Sequence, residues 1–321
     1  MKESIIISII LIAILILYIN PNSFFSIISK ANIYYLLAST LFLILMHLTM
    51  AYRIRYLAST INEDISMMVA FNTHMLGMLL SDITPGRIGY LMSPVYLKVK
   101  GLNGHKAAFS VITAQPFDMM FKFIGVVLGI ITLGYKLLPI NLLVILFLLS
   151  LFMTFFIFLL VFSKRFLSLL FNIYRMVSHF PLILNLNLHI ERLFSSIKNM
   201  QSLAKSISRY GLKLSALVFL GYTFRVLNWL FAALAFNIVL QPLLFYIIQP
   251  LVSIIDFLPL PSAAGTGFSE FGMGLALSVF DIPIKLSITY AIFIRLQSIT
   301  VDLLGILPLA EVLEKRKSFN I

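Results

Sequence analysis

The sequence predicts an all-α polytopic membrane protein with about six full spans and two oppositely oriented re-entrant helix pairs, arranged like an inverted repeat. Three observations lead there. The chain has 321 residues, of which 60% are hydrophobic and only 11% charged, where a soluble domain carries roughly 25% charged residues. Long uncharged runs recur; "LLVILFLLSLFMTFFIFLLVF" at 142–162 supplies 21 apolar or neutral residues, enough to cross a hydrocarbon core of about 30 Å at about 1.5 Å per residue. Two further apolar segments, 66–106 and 241–281, are interrupted by Pro, Gly and charge.

Taken in order, full spans are expected near 5–19, 33–51, 107–133, 138–162, 213–238 and 286–308. The N-terminal apolar stretch is followed by "NPNSFFSIISK", a poor cleavage context, so it reads as a retained first span. Basic residues gather in a subset of the connections. Arg53 and Arg55 follow the second span, Lys98, Lys100 and Lys106 precede the third, and 163–213 holds eight Lys or Arg against Glu191. The other connections carry Lys30 and Lys136. Cytoplasmic loops are the Lys- and Arg-rich ones, so the expectation is a multi-pass protein of the cell membrane with both termini cytoplasmic. One integral membrane domain, 1–321, then divides into a first half (1–162), a cytoplasmic amphipathic linker (163–212) and a second half (213–321).

That assignment makes 66–106 enter and leave from the cytoplasmic side and 241–281 from the outside. Transporters built from such inverted halves place their sites where the broken elements meet. The alternative is that "SDITPGRIGY" (81–90) is a plain surface loop joining two full spans. In the linker, Ile190, Leu193, Phe194, Ile197, Met200, Leu203 and Ile207 recur at helical spacing, with Arg192, Lys198, Lys205 and Arg209 among the polar positions. This is the pattern of a helix lying on an anionic leaflet; a helix packed on other cytoplasmic residues gives the same pattern.

The net charge of +12 fits the positive-inside bias and attraction to anionic headgroups. It does not call for nucleic acid, which needs a soluble basic domain. There is no cysteine, so disulfides and thiolate chemistry are excluded. His47, His74, His105, His179 and His189 show no metal-binding spacing, and no phosphate-binding P-loop motif occurs. The sequence therefore predicts no catalytic residue, metal or cofactor, and no enzyme.

An ionisable group at the centre of a span costs about 2.5–3.5 kcal/mol on insertion scales, so each needs a reason. Asp118 and Lys122 are four apart, on one helix face, and suggest an intrahelical ion pair. Arg225 has no acid within one turn; Asp256, Glu270, Arg295 and Asp302 are further candidates in the second half. In the first break Asp82, Pro85, Gly86, Arg87 and Gly89 come together; in the second, Pro259, Pro261, Gly265 and Gly267 precede Ser269 and Glu270. A helix starting after each break presents N–H groups without intrahelical partners, a ready anion site. Arg87, Arg225 and Arg295 would add charge, and the arginine fork suits phosphate. Glycine in membrane helices also serves plain close packing.

"TPGRIG" (84–89), followed by Pro94, resembles the Pro-Gly-Arg-x-Gly signature of the transmembrane domain of lysylphosphatidylglycerol synthases. "LPLPSAAGTGFSE" (258–270) resembles the second signature of that family, and Phe117-Asp118 and Arg295 fall where it has matching residues. The resemblance covers nearly the whole chain and implies a lipid-translocating, flippase-type domain with re-entrant helices. Family members are fused to an aminoacyl-transferase or a glycosyltransferase, or stand alone; the sequence given closes at Ile321 without such a domain, so no aminoacylation is expected. Tyr90 stands where an acid usually follows the first signature, and Gln115-Pro116 replaces a Glu-Arg pair before Asp118. Those departures point to a headgroup other than lysyl-phosphatidylglycerol.

The combined expectation is a protein that moves an anionic phospholipid, an aminoacylated phospholipid or a polyprenyl-phosphate-linked lipid between leaflets. Gly86, Arg87, Gly89, Arg225, Gly265, Gly267, Glu270 and Arg295 would bind it, with Asp82, Asp118, Lys122 and Asp256 gating or pairing charge. Its partners would be the bilayer, the lipid and a lipid-modifying synthase or glycosyltransferase. The alternatives are a non-transporting partner subunit of such an enzyme, or a membrane-embedded lipid-group transferase.

Overall fold

A computed structural model describes residues 2–137, 140–177, 187–204, 207, 209–258 and 260–318; Lys205 and Pro259 lie outside them. The described residues are helical, without strands: α1 (Lys2–Ile19), α2 (Pro21–Ser29), α3 (Ile33–Ser59), α4 (Met67–Asp82), α5 (Pro94–Val99), α6 (Gly104–Ile112), α7 (Gln115–Leu137), α8 (Ile140–Phe162), α9 (Lys164–Val177), α10 (Asn187–Ala204), α11 (Gly211–Ala235), α12 (Pro242–Asp256), α13 (Phe268–Ser278), α14 (Ile284–Asp302) and α15 (Ile306–Ser318). Five stretches are long and apolar enough to cross a membrane, and a sixth is if the bent α8–α9 pair counts as one span. The protein is a multi-pass, all-α membrane protein.

Contacts between connections define the two ends of the bundle. At one end the Glu63 carboxylate bonds Lys106, Lys213 sits over the Tyr56 ring, and Glu311 bonds Lys100 and Tyr96. At the other end the Asn32 amide donates to the Ala235 carbonyl, and Leu240, Phe280 and Ile282 join one apolar cluster. It follows that α3 runs from the second end to the first and α11 runs back beside it.

The segment between Glu63 and Lys106 leaves the first end and returns to it. Its arms are too short to cross: α4 has 16 residues and α5 has 6, so the longer measures about 24 Å. The segment 241–281 does the same from the opposite end, with α12 of 15 residues and α13 of 11. Both broken segments are thus hairpins, and the sequences α3–hairpin–α6/α7 and α11–hairpin–α14 run in opposite directions. A plain surface loop at 81–90 is excluded, because Thr84, inside it, accepts a hydrogen bond from Ala264 of the other hairpin at 3.0 Å.

Inside lipid, helices associate by packing and interhelical hydrogen bonds rather than by expulsion of water. Asn228 of α11, fully buried, donates to Ser39 Oγ of α3 at 2.8 Å and to Gln297 of α14 at 2.9 Å. Gln297 in turn donates to Thr40 at 2.8 Å. Each such bond contributes roughly 0.6–2 kcal/mol in a bilayer, and the cluster fixes three helices from both halves against one another.

Two expectations about the connections change. α3 extends to Ser59, well past 51, so Arg53 lies inside a helix, 2% exposed, while Arg55 is exposed. For the linker the packed reading holds over the free surface helix: Met200 and Ala204 of α10, with Ile207 beyond it, pack with Leu57, Phe109 and Val161, and Gln201 bonds the Leu160 and Ser163 carbonyls. The helix turned sharply away from a span is α9, which leaves α8 at 99°.

Candidate functional site

The two hairpin tips meet inside the bundle, and both are built on left-handed backbone. Gly86 and Arg87 have φ of 61° and 56°; Ala264 and Gly265 have 47° and 67°. Glycine accepts this geometry freely, but Arg87 and Ala264 do not, at roughly 1–2 kcal/mol each. Pro85 starts the first tip and Gly86 lets it close, since a Cβ there would stand 3.3 Å from the Phe257 carbonyl oxygen. At the second tip, Ser8 of α1 receives the Ala263 amide at 2.8 Å, tying the first span to the break.

A chain of charges crosses this junction. Arg87 Nη2 donates to Asp82 at 3.0 Å, and its Nη1 lies 3.7 Å from Asp256. Asp256 accepts from Arg295 Nη2 at 2.9 Å, and Arg295 Nε donates to Glu270 at 2.6 Å. Ser269 also accepts from Arg295. Glu270 uses its second oxygen to cap the Gly267 amide. The order Asp82–Arg87–Asp256–Arg295–Glu270 alternates in sign and links both tips with α14. Such a network is costly to bury and stands only with near-complete pairing.

Arg225 departs from that rule. It donates to Ser298 at 3.1 Å, and among the described residues no carboxylate reaches ion-pair distance of its guanidinium. It lines a cavity of about 40 Å³ together with Ser253, Asp256, Ser269, Glu270, Arg295 and Ser298. That space is room for a few water molecules.

The structure therefore gathers Asp82, Gly86, Arg87, Arg225, Asp256, Gly265, Gly267, Glu270 and Arg295 around one junction. Three expectations need correction. Asp118 and Lys122 do not pair with each other: both Asp118 oxygens accept from Arg53 Nη1, at 2.8 and 2.7 Å, while the Lys122 ammonium lies 4.2 Å from the Phe257 ring centroid. A flexible lysine stem reaches an aromatic face, but the buried Arg53 guanidinium on α3 has to have an anion. Gly89 does not offer a free donor, since its amide bonds Thr84 Oγ1 at 2.8 Å; its missing side chain instead admits the Leu80 carbonyl. The Gly267 amide is likewise taken, by Glu270.

Sequence reading missed Arg53 because it counted as a flanking loop charge. It also missed the pairing of His47 and His74, whose ring nitrogens lie 3.1 Å apart. Spacing could not reveal that contact, because the two stand on different helices; the available signal was that both fall within apolar segments.

The profile of one protein family, described as the lysylphosphatidylglycerol synthase TM region, matches residues 5–305. No curated protein and no solved structure matches the chain. The family profile includes both hairpin tips and every charge of the junction, and assigns the chain a membrane lipid-related function. With the match extending over nearly its whole length, the chain belongs to the lysylphosphatidylglycerol synthase transmembrane-region family.

Proposed function

We propose that this protein is a lipid flippase, moving a phosphate-bearing lipid between leaflets without making or breaking a covalent bond. The observation that carries this reading is the convergence of Arg87, Arg225 and Arg295 where the tips of two opposed hairpins touch. A junction made of two short, broken elements can part from either side, as alternating access requires. Arg225, without a carboxylate, is the first ligand for phosphate. As the tips separate, Arg87 and Arg295 exchange carboxylate oxygens for phosphate oxygens, so neither of them is left unpaired. Ser253, Ser269 and Ser298 line the same cavity and supply neutral hydrogen bonds. Anionic phospholipids, aminoacylated phospholipids and polyprenyl-phosphate-linked lipids all present this group. The basic end of the bundle, with Lys98, Lys100, Lys106, Lys213 and Lys315, faces the cytoplasm on this reading, and a lipid-modifying synthase or glycosyltransferase on that side would supply the lipid.

The test is reconstitution of the purified chain into vesicles carrying a fluorescent phosphatidylglycerol, with chemical quenching of the outer leaflet. The wild-type chain is expected to expose inner-leaflet label to the quencher, and Arg225→Gln to slow that exposure while keeping its unfolding temperature. Lipid movement no faster than in protein-free vesicles would overturn the reading and favour a non-transporting partner subunit. Equal rates in the variant would remove Arg225 from the site.

A further inference from the structure

Beside the arginine junction lies a second buried cluster that phosphate binding does not use. His47 of α3 places Nδ1 3.1 Å from Nε2 of His74 on α4. On its other side His47 Nε2 stands 3.6 Å from Asp302 at the end of α14. His74 Nδ1 lies 3.3 Å from the Tyr90 hydroxyl, in the first hairpin tip. Asp82 of the first hairpin acts on Asp302 as a like charge. His47, His74 and Asp302 are at most 3% exposed.

This cluster is under-satisfied in a specific way. Among the described residues, no hydrogen bond reaches either oxygen of Asp302, the second oxygen of Asp82, or His47 Nε2. Buried polar atoms are almost always paired, and a buried carboxylate with no donor on it takes a proton rather than stay charged. A histidine accepts a proton on one ring nitrogen and releases it from the other. The surroundings of the cluster are cationic as well as acidic. Arg225 of α11 acts on His47 and Asp302, Arg53 of α3 acts on His74, and Arg87 of the first tip acts on Asp302.

We propose that Asp302, His47 and His74 form a proton-carrying site that couples lipid movement to a proton gradient. The inference rests on the flippase reading above. Its link to the lipid is the first hairpin tip, which carries both Arg87 and the Tyr90 that His74 touches. When Asp302 takes up a proton, a carboxylate that attracts Arg87 is neutralised and the guanidinium turns to phosphate. When the lipid leaves, Arg87 returns to Asp82 and the proton moves on. It passes from Asp302 to His47 Nε2 while His47 Nδ1 releases its own proton to His74 Nε2, and His74 Nδ1 releases one to water admitted where the tips have parted. The net change is one proton from Asp302 to water, after which both imidazoles return to their starting tautomers, so no other reactant is required. Proton and lipid phosphate then travel together, and the pair crosses with less net charge than the lipid alone.

The experiment uses the full chain in vesicles with fluorescent phosphatidylglycerol and an imposed pH gradient. With one proton per lipid, a gradient of about one pH unit biases the label between leaflets by up to roughly tenfold, because tenfold corresponds to about 1.4 kcal/mol. Reversing the gradient is expected to reverse the bias, and a proton ionophore to remove it. In Asp302→Asn and His47→Asn the bias is expected to vanish, whatever rate of movement remains. A second measurement on the wild-type chain does not depend on how the variants fold: binding of phosphatidylglycerol in weakly buffered detergent is expected to take up protons. Lipid movement that ignores the pH gradient, or follows a sodium gradient instead, would overturn the coupling and leave the flippase reading standing. Binding without proton uptake would do the same. No lipid movement under any gradient would overturn the flippase reading and the coupling with it.

Discussion

Arg87 and Asp256 face each other at 3.7 Å across the meeting point of two hairpins that enter the bundle from opposite ends. Asp256 closes α12 and serves two arginines at once, Arg87 with one oxygen and Arg295 with the other. Separation of the tips therefore cannot leave the charges as they are: it breaks the Arg87–Asp256 contact and exposes a guanidinium fork.

Asp256→Asn tests this directly. Both arginines lose an anionic partner, and breaking a buried pair by removing one member costs on the order of 3–5 kcal/mol. The unfolding temperature in detergent is expected to fall clearly. Adding Arg87→Gln to Asp256→Asn is expected to restore part of that loss, because coupled sites deviate from additivity by about 0.5–3 kcal/mol. Strict additivity in the thermal unfolding data would show that the contact carries no energy.

Asp118 and Lys122 are expected to behave very differently although they share one helix face. Asp118→Asn strands the buried Arg53 guanidinium and is expected to cost about 3–5 kcal/mol. Lys122→Met loses a cation–ring contact of about 0.5–2 kcal/mol and gains an apolar fill. Chemical denaturation of both variants decides between them. Equal losses would restore the pairing within the helix that their spacing suggests.

Gly89→Ala is expected to be poorly tolerated. The added Cβ would stand 2.1 Å from the Leu80 carbonyl oxygen, with backbone on both sides of the clash. Overpacking of this kind costs about 1–3 kcal/mol or more, and here it would push the first tip away from the second. Gly211→Ala is the control: nothing lies within 4 Å of its Cβ, and alanine is the better helix former by up to about 1 kcal/mol. A normal unfolding temperature for Gly89→Ala would mean that the tip yields more readily than its contacts imply.

Arg87→Lys separates charge from geometry. Lysine keeps the positive charge but lacks the planar fork that engages Asp82 and Asp256 together. Lipid exposure rates are expected to fall by about tenfold, the equivalent of one lost charge-assisted contact of about 1.5 kcal/mol. Wild-type rates in Arg87→Lys would show that charge alone is enough at this position.

The sequence by itself determined the class of protein and the outline of its architecture. Uncharged runs such as 142–162 have no stable place outside a membrane, and the coincidence of Pro, Gly and charge at 81–90 and 256–274 marked the two breaks. Those signals are local, since they depend on the cost of charge and of unpaired backbone in lipid. Arg87, Asp256, Glu270 and Arg295 were legible as residues for the same reason. Their partners were not. Arg53 and Asp118 are 65 positions apart, and His47 and His74 are 27 apart. Which carboxylate a buried cation meets depends on how helices from the two halves pack, and helical spacing within one segment carries no record of that. The tertiary structure decided that Asp118 serves Arg53 rather than Lys122, that the Gly89 and Gly267 amides are already engaged, and that the tips touch through Thr84 and Ala264. Where a buried charge does find a partner, the nearest in space displaces the nearest in sequence.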